Sequence, residues 1–461
     1  MQEANVEKKL KKRIGFLGLL AMCVGLNIGG ALFALTTVAA DLTGPSLPIA
    51  MLISSTPALL AILPYGILTS SLPTTSATYR YSQLFSPTLA LVSALTLCLC
   101  ATIGGQPLFA KAFGIYLKEI LPLDPVLVGV LVLTFFYVIN LMGVQLTARI
   151  QTIMFFVLLS ALLLFIALGI THIEADHFTD LFPKGIGGVF SAAGLLFTFC
   201  AGGFFVVDLG GEVIKGSRIF PKVLLLGMVI VLVIYISIAL ITVGAVAPFS
   251  LSDESLIGVA ENFMSKGTLV YFIVGGALFA CATTINILYS IISRGFMVVS
   301  SEGLLPTFLG KVSERFGTPY WGLTTAFGIS LVALISIRSL MFFGSMLNLG
   351  IILGITIVTM AGRVFPERFP ELYKRSSIKV PTRLLKIVCW SVIMSNSLIF
   401  GFFAFAVGRA SILFAGIAAA MFLYARHHKE RLVEIKIKLG NLETEWFDTA
   451  LEKGIHPRSG P

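Results

Sequence analysis

An all-α integral membrane protein with about twelve spanning helices is the fold class that this 461-residue sequence predicts. Three observations lead to it. Hydrophobic residues make up 57% of the chain and charged residues only 12%, whereas a soluble domain carries roughly 25% charged residues. The mean hydropathy is +0.96, more apolar surface than a globular core can hide. The apolar residues also run in long continuous stretches. A bilayer accepts only helices or closed barrels, because nothing in it can pair a free backbone group, and continuous stretches select helices over alternating strands.

The runs lie at 14–40, 46–71, 88–115, 125–141, 147–170, 189–211, 222–247, 267–299, 320–337, 340–362, 385–407 and 409–426. Each is close to or above the ~20 residues that a crossing takes. The first is too long for a cleavable signal peptide, and no small-residue cleavage site stands out after it.

Basic residues orient these runs. With the N-terminus inside, all but six of the 33 Lys and Arg fall on the cytoplasmic side, the exceptions being Lys111, Lys118, Lys184, Lys266, Arg338 and Arg409. Lys8, Lys9, Lys11, Lys12 and Arg13 precede the first run, Lys215, Arg218 and Lys222 follow the sixth, and a dense set extends from Arg363 to Lys386. The outer loops instead carry Glu174, Asp176, Asp180, Asp253, Glu254 and Glu261. This bias follows the positive-inside rule and puts both termini in the cytoplasm of a multi-pass protein of the cell membrane. The net charge of +10 then reports topology. It does not suggest nucleic-acid binding, because no basic patch is interleaved with aromatics.

The six cysteines (Cys23, Cys98, Cys100, Cys200, Cys281 and Cys389) all fall inside apolar runs, so neither a disulfide framework nor a metal centre is expected, and no cofactor is. His427 and His428 belong to a solvated basic surface. The tail after Arg426 is amphipathic, with Leu432, Ile435 and Leu439 at helical spacing. It is expected to lie along the inner membrane surface or to be disordered.

Two interruptions in the apolar runs carry the functional argument. The first run contains Gly25-Leu26-Asn27-Ile28-Gly29-Gly30. Each glycine costs a helix about 1 kcal/mol relative to alanine, and asparagine competes for local backbone groups. The break begins about 12 residues into the run, about 18 Å of rise and so near the bilayer midplane. The sixth run does the same with Cys200-Ala201-Gly202-Gly203-Phe204, about 20 Å from its outer start. Glycine also serves close helix packing, so either segment alone has a bland reading. Matched breaks in two halves of opposite topology point to a transporter's central site. N–H groups around Ile28, Gly29 and Gly30, at the start of a half-helix, could hold a carboxylate. Carbonyls around Phe199, Cys200 and Ala201 could accept from an ammonium group. An α-amino acid carries both groups on one carbon.

Gly25-Leu26-Asn27-Ile28-Gly29-Gly30-Ala31-Leu32-Phe33 resembles the glycine-rich substrate loop of the amino acid–polyamine–organocation transporter superfamily. Phe197 through Gly202, then Gly211-Glu212-Val213-Ile214-Lys215 and Pro221, resemble its sixth-helix signature. Ser293-Arg294, Ser301 through Pro306 and Gly317-Thr318-Pro319 are a third match, and Pro73 through Tyr79 with Tyr81 a looser one. Together they cover most of residues 14–365. The resemblance implies a leucine-transporter-like fold with two inverted five-helix repeats, at 14–170 and 189–362, and two peripheral helices at 385–426. Cytoplasmic tails would occupy 1–13 and 427–461. It implies a permease that moves amino acids by alternating access, as an ion-coupled symporter or an exchanger.

In proton-coupled members a fifth-helix lysine faces the first break. The aligned position here is about Leu158, and no lysine lies between Arg149 and Gly169. In sodium-coupled members the ion sits between the first and eighth helices, where Thr283 and Thr284 could serve. The alternative is that these threonines only pack or bond back within their own helix. Asp208 stands one turn before Glu212, and an intramembrane carboxylate is a functional candidate by default. It would carry a coupling proton or meet a cationic substrate, or else pair with a basic residue near the inner mouth. Glu212 would close the cytoplasmic side through a basic loop residue. Lys111 would snorkel to the outer surface or lie near the vestibule.

Phe199, Phe204 and Phe205 suggest an aromatic lid and a neutral amino acid substrate. A basic amino acid or polyamine antiporter is the alternative, with Asp208 as its available counter-charge. Residues 116–125 lack the cysteine through which some exchangers of this family bind a glycoprotein, so no disulfide-linked partner subunit is expected. The spans hold no histidine and almost no carboxylates, and the loops are short, which weighs against a membrane-embedded enzyme or receptor.

Overall fold

A computed structural model of the chain describes residues 10, 12–245, 255–337, 339–406 and 408–440. The expectations resting on Lys8, Lys9, Lys11, Asp253, Glu254, Arg338 and the tail beyond residue 440 lie outside the described residues. The described chain is helical, and among these residues only the isolated pairs Ile14–Val213 and Thr75–Leu209 bridge in strand fashion.

The helices are α1 (Phe16–Asn27), α2 (Ala31–Thr43), α3 (Leu47–Ser71), α4 (Ala77–Phe85) and α5 (Pro87–Cys100). A π turn at Ala101–Gly105 joins α5 to α6 (Gln106–Lys118), and α7 (Pro125–Leu141), α8 (Val144–Gly169) and α9 (Gly185–Ala201) follow. After a 3-10 segment at Gly202–Asp208 come α10 (Gly216–Gly244), α11 (Leu256–Glu261) and α12 (Lys266–Tyr271). A π stretch at Phe272–Leu278 leads into α13 (Phe279–Ser301), then α14 (Tyr320–Ser336), α15 (Leu340–Arg368) and α16 (Pro370–Lys374). The chain continues with α17 (Thr382–Ala406), α18 (Arg409–His427) and α19 (Lys429–Gly440).

Among the described residues, eight helical stretches are long and apolar enough to cross a bilayer singly, and a ninth candidate is bent by 44° within 185–208. Large apolar side chains such as Ile153 (63% exposed), Val233 (60%) and Ile412 (74%) face outward. A soluble monomer could not display such a surface widely, whereas lipid covers it at no cost. Helix α13 is the central post, with every residue from Ala280 to Ser300 buried. Helices α17 and α18 lie at the edge, where only 28% and 17% of their apolar stretches are buried, against 72% for α15.

One end of the bundle is tied together around the short helix α4. Ser76 enters it with a left-handed backbone (φ 50°) and donates its N–H to the Asp208 carbonyl at 2.8 Å. The Asp208 carboxylate accepts from the Thr78 N–H at 2.5 Å and the Thr78 hydroxyl at 3.0 Å, capping the helix N-terminus. At the other end the Arg368 guanidinium donates to the Leu84 and Phe85 carbonyls at 2.9 and 2.8 Å. An anion at the N-terminus and a cation at the C-terminus both match the helix dipole. Along the side of α4, buried Glu302 accepts from Tyr79 (2.5 Å) and Gln83 (2.8 Å) and pairs with Arg80 (3.2 Å). Sequence left Asp208 between a coupling role and a basic partner; its partner is the end of a helix.

Glu212 is fully buried, and its carboxylate takes a two-point contact from Arg294 at 2.6 and 2.8 Å. The expected partner was a basic loop residue. The actual one comes from inside α13 and is itself buried, so a two-point contact offsets the cost of taking both charges out of water. The tail also differs from expectation. Leu432 and Ile435 are buried as α19 packs on α5, and Arg431 donates to the Glu302 carbonyl at 2.8 Å, so the described part of the tail rests on protein.

Two outcomes follow. Asp208→Ala should remove a cap worth about 0.5–2 kcal/mol and speed hydrogen exchange at the amides of residues 78–81, while the rest of the protein stays protected. Arg294→Met or Glu212→Gln alone should cost about 3–5 kcal/mol, seen as a lower melting temperature in detergent. The Glu212→Met/Arg294→Met double variant should lose less than either single one.

Candidate functional site

The two glycine-rich interruptions meet beside α13. The first is confined to residues 28–30, between α1 and α2. Its backbone remains largely paired: the Ile28 N–H donates to the Val24 carbonyl at 2.8 Å, and the Gly29 N–H to the Asn27 carbonyl at 2.9 Å. The second interruption does not unwind. From Gly202 the chain tightens into a 3-10 segment reaching Asp208, which keeps its backbone groups bonded where no water is available.

The breaks are joined directly. The Gly203 N–H donates to Asn27 Oδ1 at 2.8 Å, and the Tyr235 hydroxyl donates to the Asn27 carbonyl at 2.6 Å, with the Phe199 carbonyl also within 3.4 Å. Only glycine permits this approach. A Cβ on Gly202 would stand 2.5 Å from the Leu26 carbonyl oxygen. One on Gly203 would strike the Asn27 amide and lie 2.9 Å from the Cys23 carbonyl.

Beside the joined breaks is a cavity of about 60 Å³, whose lining includes Asn27, Gly29, Phe199, Gly202, Asp208 and Thr284 from the sequence-predicted set. The rest of its wall is mostly apolar, with Leu97, Phe109, Phe205, Ile292, Leu347 and Ile351. Ile28, Cys200 and Ala201 are buried behind this surface. The Gly30 carbonyl accepts from Tyr116 at 2.8 Å. Phe204 turns away and packs on Tyr65 with ring centroids 4.7 Å apart, so the aromatic wall comes from Phe109, Phe199 and Phe205.

Thr283 and Thr284 each bond back to the Ala280 carbonyl at 3.0 Å, and both also reach the Gly25 carbonyl on α1, at 3.4 and 3.0 Å. They therefore pack within α13 and also hold the first break. One turn earlier on α1, the Gln151 amide donates to the Ala21 carbonyl at 3.3 Å. From Gln151 a buried chain of neutral groups runs through Asn286 (3.0 Å) to Asn140 (3.0 Å) and Ser290 (2.7 Å). Leu158, near which the resemblance would set a lysine, is a buried apolar residue about two turns further along α8.

The sequence reading missed Tyr235, Tyr116, Gln151, Asn286 and Asn140. Their signal was present, because a single amide or phenol inside an apolar run must find a partner across the bundle. Among the described residues, no group of three His, Cys, Asp or Glu side chains could hold a metal ion.

Comparison with known proteins gives a concordant result. The family model described as "Amino acid permease" matches residues 14–425. The branched-chain amino acid permease BcaP of Bacillus subtilis (strain 168) is 26% identical, over 84% of this chain and 89% of its own length. The methylthioribose transporter of the same organism is 25% identical, over 81% and 85%. The vacuolar cationic amino acid transporter 4 of Arabidopsis thaliana is 25% identical, over 76% of this chain and 63% of its own. With a helical bundle and a family match across residues 14–425, the chain belongs to the amino acid permease family of transporters.

Proposed function

We propose that this permease is a secondary active transporter that carries neutral amino acids with apolar side chains across the cell membrane by alternating access, as an ion-coupled symporter or an exchanger. The observation that carries the reading is the junction of the two breaks, Asn27 to Gly203, beside a cavity walled mainly by apolar side chains. The substrate carboxylate would take N–H groups at the start of α2, and its ammonium group the Asn27 side chain and the Phe199 carbonyl. The Ile28 and Gly29 N–H groups would exchange their present local bonds for the substrate.

The fold that goes with this function has twelve crossings, with α1 and α2 as the first and α9 with its 3-10 segment as the sixth. Two inverted five-helix repeats would occupy 14–170 and 189–362, with α17 and α18 peripheral and both termini cytoplasmic. Reciprocal packing supports it. The second crossing packs on the seventh (α3 on α10) and the fourth on the ninth (α7 on α14). The second-to-sixth contact, α3 on α9, has its counterpart in α10 on α1, and α8 on α13 has its counterpart in α15 on α5. A short helix follows the second crossing (α4) and another the seventh (α11).

The relatives named above carry branched-chain, cationic and methylthioribose names, so kinship alone does not choose a substrate. Chemistry favours the neutral class. Asp208 is the carboxylate of the cavity wall, and it is engaged with the N-terminus of α4. A lysine or arginine side chain would have to compete for it.

In proteoliposomes, radiolabelled leucine, isoleucine or valine should accumulate in preference to lysine and arginine, with an imposed sodium or pH gradient, or internal unlabelled substrate, revealing the coupling. A protein that neither transports nor binds any amino acid would defeat the transporter reading, and one taking only lysine and arginine would reverse the substrate class. Gly29→Leu and Gly202→Leu should insert normally and lose nearly all uptake; wild-type uptake in either would move the site elsewhere.

A further inference from the structure

The cavity beside the junction extends well beyond it. On α13 it is lined by Thr284, Leu288, Ile291 and Gly295, which share one helical face, and on α5 by Ala94, Cys98 and Ala101, which share another. Thr284 stands against Gly29 at the first break, and Gly295 is eleven residues further along α13, about 16 Å of rise. Ser76, Thr78 and Tyr79, at the start of α4, line the cavity as well. Protein interiors are close-packed, so a groove of this length between two helices demands a reason. Gly295 supplies one. It lies in the regular interior of α13, where glycine weakens a helix, and its φ is not left-handed. Other glycines of the bundle serve close packing of backbones: a Cβ on Gly104 would stand 2.5 Å from the Phe343 carbonyl oxygen, and one on Gly114 would strike the Pro125 carbonyl. A Cβ on Gly295 would meet a single atom of another element within 4 Å, the Cys98 sulfur at 2.6 Å. What glycine provides here is width in the groove.

We propose that the groove between α5 and α13 is the route by which substrate leaves the junction towards α4, and that Gly295, facing Cys98, sets the width of side chain that can pass. This rests on the reading that substrate binds at the junction. The groove walls are mostly apolar, and apolar contact is non-directional, so a passing apolar side chain finds no fixed place to stop. Gly295 is about 16 Å along α13 from Thr284, beyond the groups that would hold the substrate. Narrowing the groove there slows release and leaves binding at the junction in place.

The test compares the full-length wild type with Gly295→Ala, Gly295→Val and Gly295→Ala/Cys98→Ala. Leucine binding is titrated by melting temperature in detergent, and turnover of leucine and alanine uptake is measured in proteoliposomes. Gly295→Val should lower leucine turnover about thirtyfold and alanine turnover less, the scale on which added methyl groups act in an apolar passage, while the leucine Kd stays within about threefold. Gly295→Ala should fall in between, and Gly295→Ala/Cys98→Ala should recover wild-type turnover, because the new methyl group then takes the space of the sulfur. Unchanged leucine turnover in Gly295→Val, loss of binding together with turnover, or a double variant that does not recover overturns the proposal. A wild type that binds no leucine strikes the junction reading instead, and the route is then read from Cys98. All six cysteines are buried, and among them Cys98 alone lines the cavity. N-ethylmaleimide, followed by peptide mass mapping, should modify Cys98 about tenfold faster than Cys23 or Cys200, and more slowly in Gly295→Val. Equal rates at the three cysteines overturn the route whether or not leucine binds.

Discussion

The structure depends on one hydrogen bond, from the Gly203 N–H to the side-chain oxygen of Asn27. An interrupted helix in a bilayer leaves backbone groups that lipid cannot satisfy, and each one left unpaired costs several kcal/mol on the order of a lost hydrogen bond in an apolar medium. Here the interruptions satisfy each other. Asn27 spends its amide oxygen on one break and its carbonyl on Tyr235, and the glycines at 202 and 203 let the two backbones come close enough for this. The arrangement is stable only while both sides stay together, or while something polar takes the place of the side that leaves. Under the proposed function that replacement is the substrate, whose carboxylate and ammonium group supply an acceptor and a donor set on one carbon. Binding and opening then draw on the same groups.

The two sides of the junction are anchored differently. Gly202–Asp208 is a single 3-10 segment of 7 residues, about 14 Å of rise, and it ends on the carboxylate that caps α4. A few residues later Glu212 is locked to Arg294 on the central post. That side of the junction is therefore tied by charges buried in protein, whose separation is costly. The α1 side is held to α8 and α13 through Gln151, Thr283 and Thr284, by neutral hydrogen bonds of about 1 kcal/mol each. The backbone bonds of Arg13 and Ile14 to the Glu212 carbonyl add a tie at the start of the helix. Under the proposed function, opening the cavity by a movement of α1 would break these neutral bonds, whereas a movement of the segment after α9 would separate buried charges.

Much of this was legible in the sequence because hydrophobicity and glycine act locally. The apolar runs correspond to the helices within a few residues, and Gly29-Gly30 and Gly202-Gly203 mark both interruptions. What the sequence does not carry is which distant group meets which. Thr78 is an ordinary threonine until folding brings it against Asp208, 130 positions away in the sequence. The second break reads as unwound from its glycines, yet the absence of water makes a tighter helix the better solution. Phe204 looked like its neighbours, but the 3-10 turn points it at Tyr65, whereas Phe205 faces the cavity. Arg294 is itself legible in the sequence. A full charge in an apolar run requires an opposite one, and Glu212 was available.

The same logic bears on how transport could be coupled to an ion. From Ile150 to Gly169, α8 contains no titratable side chain, and Leu158, near which the resemblance would set a lysine, is buried and apolar. Its polar contact with α1 is Gln151, whose amide carries no exchangeable charge, and the chain beyond it through Asn286, Asn140 and Ser290 is neutral as well. A proton route through this helix therefore has no group on which to carry the proton. The oxygens gathered at the first break are of another kind. The Gly25 carbonyl and the Thr283 and Thr284 hydroxyls sit together on α1 and α13, and hard cations take hydroxyl and carbonyl oxygens. In the present arrangement both hydroxyls donate to carbonyls, so a cation acting there would have to turn them and claim their lone pairs. That exchange would replace two modest hydrogen bonds by direct bonds between an ion and both helices, and so would fasten α1 to the central post when the ion is present and release it when it leaves.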